Sequence, residues 1–179
     1  MALDYFIKID QIPGESTDEK HKDEIEVLSF EFGMKHGDAG SSSTGGARTA
    51  GRVSHKPFTF TKITDKASAK LLEKCCNGTH IPKAVFTAHR ATGDKQKYLQ
   101  IELTDLIVSS FYAQIDGQYG GYVERAAGSA AGGGVMLTIE TVSLNYGSIK
   151  YIYTATDHKT GKPAGDVQAG WDLVANKKI

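Results

Sequence analysis

The sequence predicts a mainly β fold: a small barrel of antiparallel strands with one flanking α-helix and long Gly/Ser-rich loops. Three observations carry this. Several segments alternate apolar and polar residues with period two. Two of them change apolar parity partway, as strands do when a sheet curves on itself. A single stretch, about residues 65–76, has the helical period.

In chain order, residues 4–10 place Tyr5, Ile7 and Ile9 on one face and Phe6, Lys8 and Asp10 on the other, a half-buried strand. Pro13 and Gly14 end it, because proline lacks a ladder donor and glycine permits the turn. Residues 15–24 form a charged surface loop without an apolar anchor. Residues 25–36 then give a long strand in which Ile25 and Val27 share one parity and Leu28, Phe30, Phe32 and Met34 the other. A bulge, or different neighbours along its length, must accompany that change. Residues 37–52, GDAGSSSTGGARTAGR, offer almost nothing to bury and read as an extended loop.

Residues 53–62 make a strand with Phe58 and Phe60 on one face. Thr64 or Asp65 is a candidate N-cap for the helix, Leu71, Leu72 and Cys75 form its narrow apolar stripe, and Asn77-Gly78 supplies a left-handed stop. Residues 81–90 are a strand, turned at Thr92-Gly93-Asp94. Residues 98–115 are too long for one flat strand and change parity at Asp105, a second expected bend. Residues 116–134 are another Gly/Ala-rich loop. Residues 135–146 and 148–156 read as a hairpin across Gly147, and residues 157–179 as a C-terminal tail whose Trp171 docks on the body. The expected core is Phe30, Phe32, Phe58, Phe60, Leu71 and Trp171, within one domain spanning residues 1–179.

Lys plus Arg and Asp plus Glu both number 21, so the formal net charge is zero. That balance disfavours a long-range electrostatic search for nucleic acid. No apolar run approaches the roughly 18 residues needed to span a bilayer, so no membrane insertion is expected. The N-terminus MALDYFIKID shows no cleavable signal, which predicts folding in the cytoplasm. Cys75 and Cys76 are adjacent and read as two thiols, one buried and one exposed, without a disulfide.

No catalytic, cofactor or metal site is legible. There is no G-x-S-x-G elbow and no H-E-x-x-H, and Gly161-Lys162 is followed by Pro163 where a phosphate loop needs Ser or Thr. The six histidines lack ligand spacing. His21 with Glu24 is the nearest approach to a metal pair, and it reads as part of a solvated loop. Two non-enzymatic classes remain: a small-ligand carrier using the barrel interior, or an assembly subunit whose outer faces meet copies of itself.

Four ordered stretches then resemble one family. MALDYFIKID with GESTDEKHKDEIEVLSFEFG, then FTFTKITDKASAKLLEKCCNG, ETVSLNYGSIKYIY and GWDLVANKK, are similar to the Hcp (haemolysin-coregulated protein) family. The resemblance implies a subunit of the type VI secretion inner tube, a homohexamer whose rings stack. It implies a contractile sheath and a spike protein as partners, small secreted effectors carried in the lumen, and export without a cleaved signal peptide. If Phe30 and Phe32 face the core, Ser29, Glu31 and Gly33 face away, which in this family is toward the lumen. Glu31 is then a lumen carboxylate favouring basic cargo, or a solvated or interface-paired acid. Ring-stacking or inter-subunit contacts are expected from Gly40, Ser41, Ser42, Ser43, Thr44, Gly45 and Gly46, and from Tyr119, Gly120 and Gly121.

Overall fold

The computed structural model describes residues 4–36, 52–90, 96–115, 138–157 and 163–179. In order these form β1 (Asp4–Ile9), β2 (Ile25–Val27), β3 (Ser29–Glu31), β4 (Met34–His36), β5 (Val53–His55), β6 (Phe58–Ile63), α1 (Ser68–Asn77), β7 (Ile81–His89), β8 (Lys97–Ile115), β9 (Thr138–Thr156), β10 (Pro163–Asp172) and β11 (Lys177–Lys178). The main antiparallel sheet runs β11-β10-β9-β8-β7-β1-β2, with β6 paired to both β9 and β3. β4 and β5 form a separate two-stranded ladder.

The parity change at Val27–Leu28 is a change of partner. Ile25 and Val27 face the core while β2 pairs with β1, and the chain then crosses to β6, where Phe30 lies opposite Phe60. The Leu28 N–H donates to the Thr61 carbonyl at 2.8 Å at the crossing point. Residues 25–31 thus bridge the two ends of the wrap. The result is barrel-like, although the ladders themselves do not close.

The second expected bend is present at Asp105, a non-glycine residue at φ 52°. Between the rungs Thr104–Ser148 and Leu106–Tyr146 both strands change face: Leu103 and Leu106 are buried on β8, Tyr146 and Ile149 on β9. The hairpin expected across Gly147 does not form. β9 runs straight through it, because Gly147 is the other half of the Asp105 bend. A Cβ there would stand 3.0 Å from both Cβ and Oδ2 of Asp105, so the glycine marks a close backbone approach.

The helix begins later than expected, at Ser68. Thr64 is not its cap, since its hydroxyl donates to Glu140 Oε1. Asp65 Oδ1 instead accepts the Ala67 N–H at 2.9 Å, ahead of the first turn. Gly78, at φ 64°, provides the left-handed stop and donates its N–H to the Lys74 carbonyl. Leu71 is fully buried, Cys75 half-buried and Cys76 exposed.

Phe58, Phe60, Phe86, Ile101, Leu103 and Leu106 fill the barrel interior. Phe30 is half-buried and packs on Phe86 with ring centroids 4.3 Å apart. Phe32 lies past the end of β3, where the chain leaves the ladder, and like Phe30 is half-buried against the core, its ring 6.2 Å from that of Phe58. One expected core residue needs correction. Trp171 is 38% exposed, because the strand that carries it lies beyond the wrap. That strand, β10, also replaces most of the expected polar tail: it pairs with β9 from Pro163–Thr156 to Asp172–Ser148. The loop at residues 15–24 is also less solvated than its charge suggests, since His21 is half-buried against β1 and β7.

Candidate assembly and cargo surfaces

Two surfaces stand out. The first is the outer face of β3, β6, β9 and β8. Successive rungs across these strands read Ser29–Thr61–Thr141–Tyr112, Phe30–Phe60–Val142–Phe111 and Glu31–Thr59–Ser143–Ser110. The middle rung faces the core. The outer two bear a hydroxyl on every member except Glu31. Ser29 Oγ lies 2.7 Å from Thr61 Oγ1 and Thr59 Oγ1 lies 3.0 Å from Ser143 Oγ, so the hydroxyls bond one another across strands.

Glu31 is exposed, and it is the one charged side chain on those two rungs. Ser29 and Glu31 are therefore brought together, as alternation requires. Gly33 is not on this ladder. It lies past β3, half-buried, where its carbonyl accepts the Lys56 N–H at 2.8 Å. The expected stacking residues, Gly40, Ser41, Ser42, Ser43, Thr44, Gly45, Gly46, Tyr119, Gly120 and Gly121, lie outside the described residues.

Sequence reasoning missed the second surface. The core face of β8 continues across β9 to β10: Leu99, Ile101 and Leu103 pair with Tyr153, Tyr151 and Ile149, which pair in turn with Val167, Ala169 and Trp171. On β8 this face is buried. Toward β10 it is only partly covered: the Phe32 ring lies 6.2 Å from Tyr151 of β9, and Val167 is 68%, Tyr151 39% and Trp171 38% exposed. Tyr151, Ala169 and Trp171 of this face line a groove of about 860 Å³ together with Phe32 and Met34. The signal was present as the alternation Val167, Ala169, Trp171, hidden among the glycines and charges around it.

Beside the groove, His55 Nδ1 lies 3.2 Å from the Tyr146 hydroxyl. Burial holds the His55 pKa below its ordinary value and pushes Tyr146 up to about 12, so both groups stay neutral around pH 7. The groove is lined mainly by apolar side chains, with His36, Arg52, His55 and Asn176 as its polar members. Among the described residues, no group of three or more His, Cys, Asp or Glu side chains is arranged to hold a metal, and no helix is long and apolar enough to cross a membrane.

Residues 6–153 match the family model for the type VI secretion system effector Hcp. Protein hcp1 of Pseudomonas aeruginosa is 35% identical over 177 residues, covering 98% of each chain. A solved type six secretion system protein superposes with a TM-score of 0.82 at 30% identity, covering 99% of this chain and all of the other. Hcp1 from Salmonella typhimurium does so with a TM-score of 0.72 at 32% identity over 99% of this chain and all of its own. Full-length similarity of this kind, on a barrel-like fold with one helix, makes the chain a member of the Hcp family of type VI secretion proteins, a component of that export system and not an enzyme.

Proposed function

We propose that the chain is a tube subunit: copies close into hexameric rings, the rings stack, and the exported tube carries small effectors against the face bearing Ser29 and Glu31. Contacts to the spike and the contractile sheath belong to the same reading. The observation that carries it is the only partly covered continuation of the core face toward β10. A ring needs a heterologous contact that presents one surface to a different surface on the next copy. An apolar sheet face bearing Tyr151, Val167 and Trp171 has the aromatic, charge-poor character of an interface centre. The hydroxyl-lined face, by contrast, suits a wetted wall past which cargo moves. Packed aromatic residues in the interior weigh against the carrier alternative, which needs an internal cavity.

Light scattering on the purified chain tests this. A stable six-chain species is expected, and Trp171→Glu together with Val167→Lys shifts it to monomer while far-UV circular dichroism is preserved. A wild-type monomer that retains a small hydrophobic ligand would overturn the tube reading in favour of the carrier.

A further inference from the structure

His21, from the charged loop between β1 and β2, lies with its ring flat on Phe6, centroids 4.3 Å apart and planes 4° from parallel. Its Nδ1 is 2.7 Å from Glu24 Oε2. Its Nε2 is 2.7 Å from Nε2 of His89, which is 5% exposed near the end of β7. Phe6 is itself 5% exposed beneath the His21 ring.

We infer that the Glu24–His21–His89 relay is an acid-labile latch that docks the residue 14–24 loop onto the sheet. The reason lies in counting ring protons. A hydrogen bond between two Nε2 atoms needs one donor and one acceptor, so one of them carries a proton and the other does not. Every state that satisfies this has at most one charged ring, and two illustrate it. In one, neutral His21 donates from Nδ1 to Glu24 and accepts at Nε2 from His89. In the other, the His21 cation donates from both nitrogens and neutral His89 accepts. Charging both rings places two N–H groups head to head at 2.7 Å, and no acceptor remains between them.

The docked loop thus binds one proton fewer than the released loop. By linkage, lowering pH through the range where imidazoles charge drives release. Among the described residues, the charged groups on this face include Asp4 and Lys97, both across the ladder from His89, Glu26 across from Phe6, and Lys8 and Glu102, both across from Val85, with Glu19, Lys20 and Lys22 in the loop itself. Asp4 and Glu26 favour added positive charge here and set how far acidification must go, but neither supplies the missing acceptor between the rings.

The rest of the loop makes release local. Gly14 and Asp23 N–H groups bond Asp23 and Ser16 carbonyls, so the loop is a closed unit. Its other anchor is at the helix, where Lys66 N–H donates to Glu15 Oε1 and Lys66 Nζ meets Asp23 Oδ1 at 3.1 Å. Opening the histidine end pivots the loop about the helix end and uncovers Phe6.

Hydrogen exchange of the intact chain tests this, comparing amides of residues 14–24 with those of β8, after correction for the intrinsic pH dependence of exchange. Between pH 7.5 and 5 the wild-type loop is expected to lose protection at least tenfold relative to β8. His89→Gln, which keeps a side-chain amide able to donate or accept but does not titrate, is expected to show no such loss. A wild-type loop equally protected at pH 5, or a His89→Gln loop that loosens as the wild type does, overturns the latch. Nitrogen-15 NMR of the imidazoles gives a readout that needs no variant: two fully protonated rings in a loop still stacked on Phe6 would equally refute it.

Discussion

Lys62 Nζ, fully buried on β6, lies 2.8 Å from Glu140 Oε2 on β9 and 2.7 Å from Asp65 Oδ1. It also donates to the Ile63 carbonyl and Ser68 Oγ, and Ser68 Oγ lies 2.7 Å from the same Glu140 oxygen. This network ties the first turn of the helix to the sheet.

Removing the cation leaves two carboxylates facing each other with Glu140 buried, whereas neutralising Glu140 leaves Lys62 its second carboxylate. Lys62→Met is therefore expected to cost about 3–5 kcal/mol. Glu140→Gln, which keeps an acceptor, is expected to cost less, about 1–3 kcal/mol. Urea unfolding of both variants checks the order. Equal costs would mean that the pair acts alone, without Asp65.

The bend at Asp105 and Gly147 yields a second expectation. Gly147→Val must push the Asp105 side chain aside, at a cost of about 1–3 kcal/mol. Asp105→Gly relieves the positive φ, worth about 1 kcal/mol, and removes the 2.6 Å contact to His80, an exposed pair worth little. In the double variant the space facing the introduced valine reopens, so the two changes are expected to be strongly non-additive in a double-mutant cycle.

Those same residues show what was legible. The parity break at Asp105 announces a bend, and the break at Val27–Leu28 announces a change of neighbours, because face alternation is a local property of the sequence. That Gly147 completes the first bend was not legible. A glycine between two apolar runs has the same signature whether it turns the chain or admits a close approach. The hydroxyl face follows from alternation at Ser29 and Glu31. The groove does not, because its wall on β10 is assembled by ladder register and its exposure depends on where the wrap stops. His21 reads as solvated in the sequence, since nothing in the loop's composition points to His89, 68 residues away.

Alkaline stability reports on Tyr146. Its folded pKa of about 12 exceeds the ordinary 10, so the unfolded chain loses this proton first as pH rises. The neutral phenol's contribution is complete below about pH 10 and disappears between there and about 12. Its ceiling is about 3 kcal/mol, at roughly 1.4 kcal/mol per pKa unit. Guanidinium unfolding between pH 9.5 and 11.5 is expected to show a steeper loss for the wild type than for Tyr146→Phe. Parallel curves would mean that the phenol ionises without loss in the folded state.

The acid side is set at the same place by His55, whose pKa burial lowers from 6.5. A depressed imidazole binds its proton more weakly folded than unfolded. Its share of stability is present above about pH 6.5 and is lost as pH falls below it. His55→Gln is expected to flatten the acid limb of the stability profile between pH 7 and 5, measured by urea midpoint. Since Glu102 is also held low, chiefly by its hydrogen bond from Lys83, its contribution persists to lower pH and does not enter that window.

Glu31 offers the sharpest test of the cargo face. The side chain is exposed on an edge rung, so Glu31→Ser is expected to change stability by no more than about 0.5 kcal/mol. It also makes both outer rungs uniformly neutral. If rings form with this face inward, six carboxylates share one circumference, and their joint field favours basic cargo far more than one exposed acid does. Such attraction is screened by salt, with a Debye length that shrinks from about 10 Å at 0.1 M to about 3 Å at 1 M. Wild-type rings are therefore expected to retain a basic effector-sized protein at low salt and release it as salt rises. Glu31→Ser rings should retain it weakly at every salt concentration, and Glu31→Lys rings should exclude it. Equal retention by all three, with the six-chain mass intact, would place Glu31 outside cargo recognition while leaving the ring itself standing.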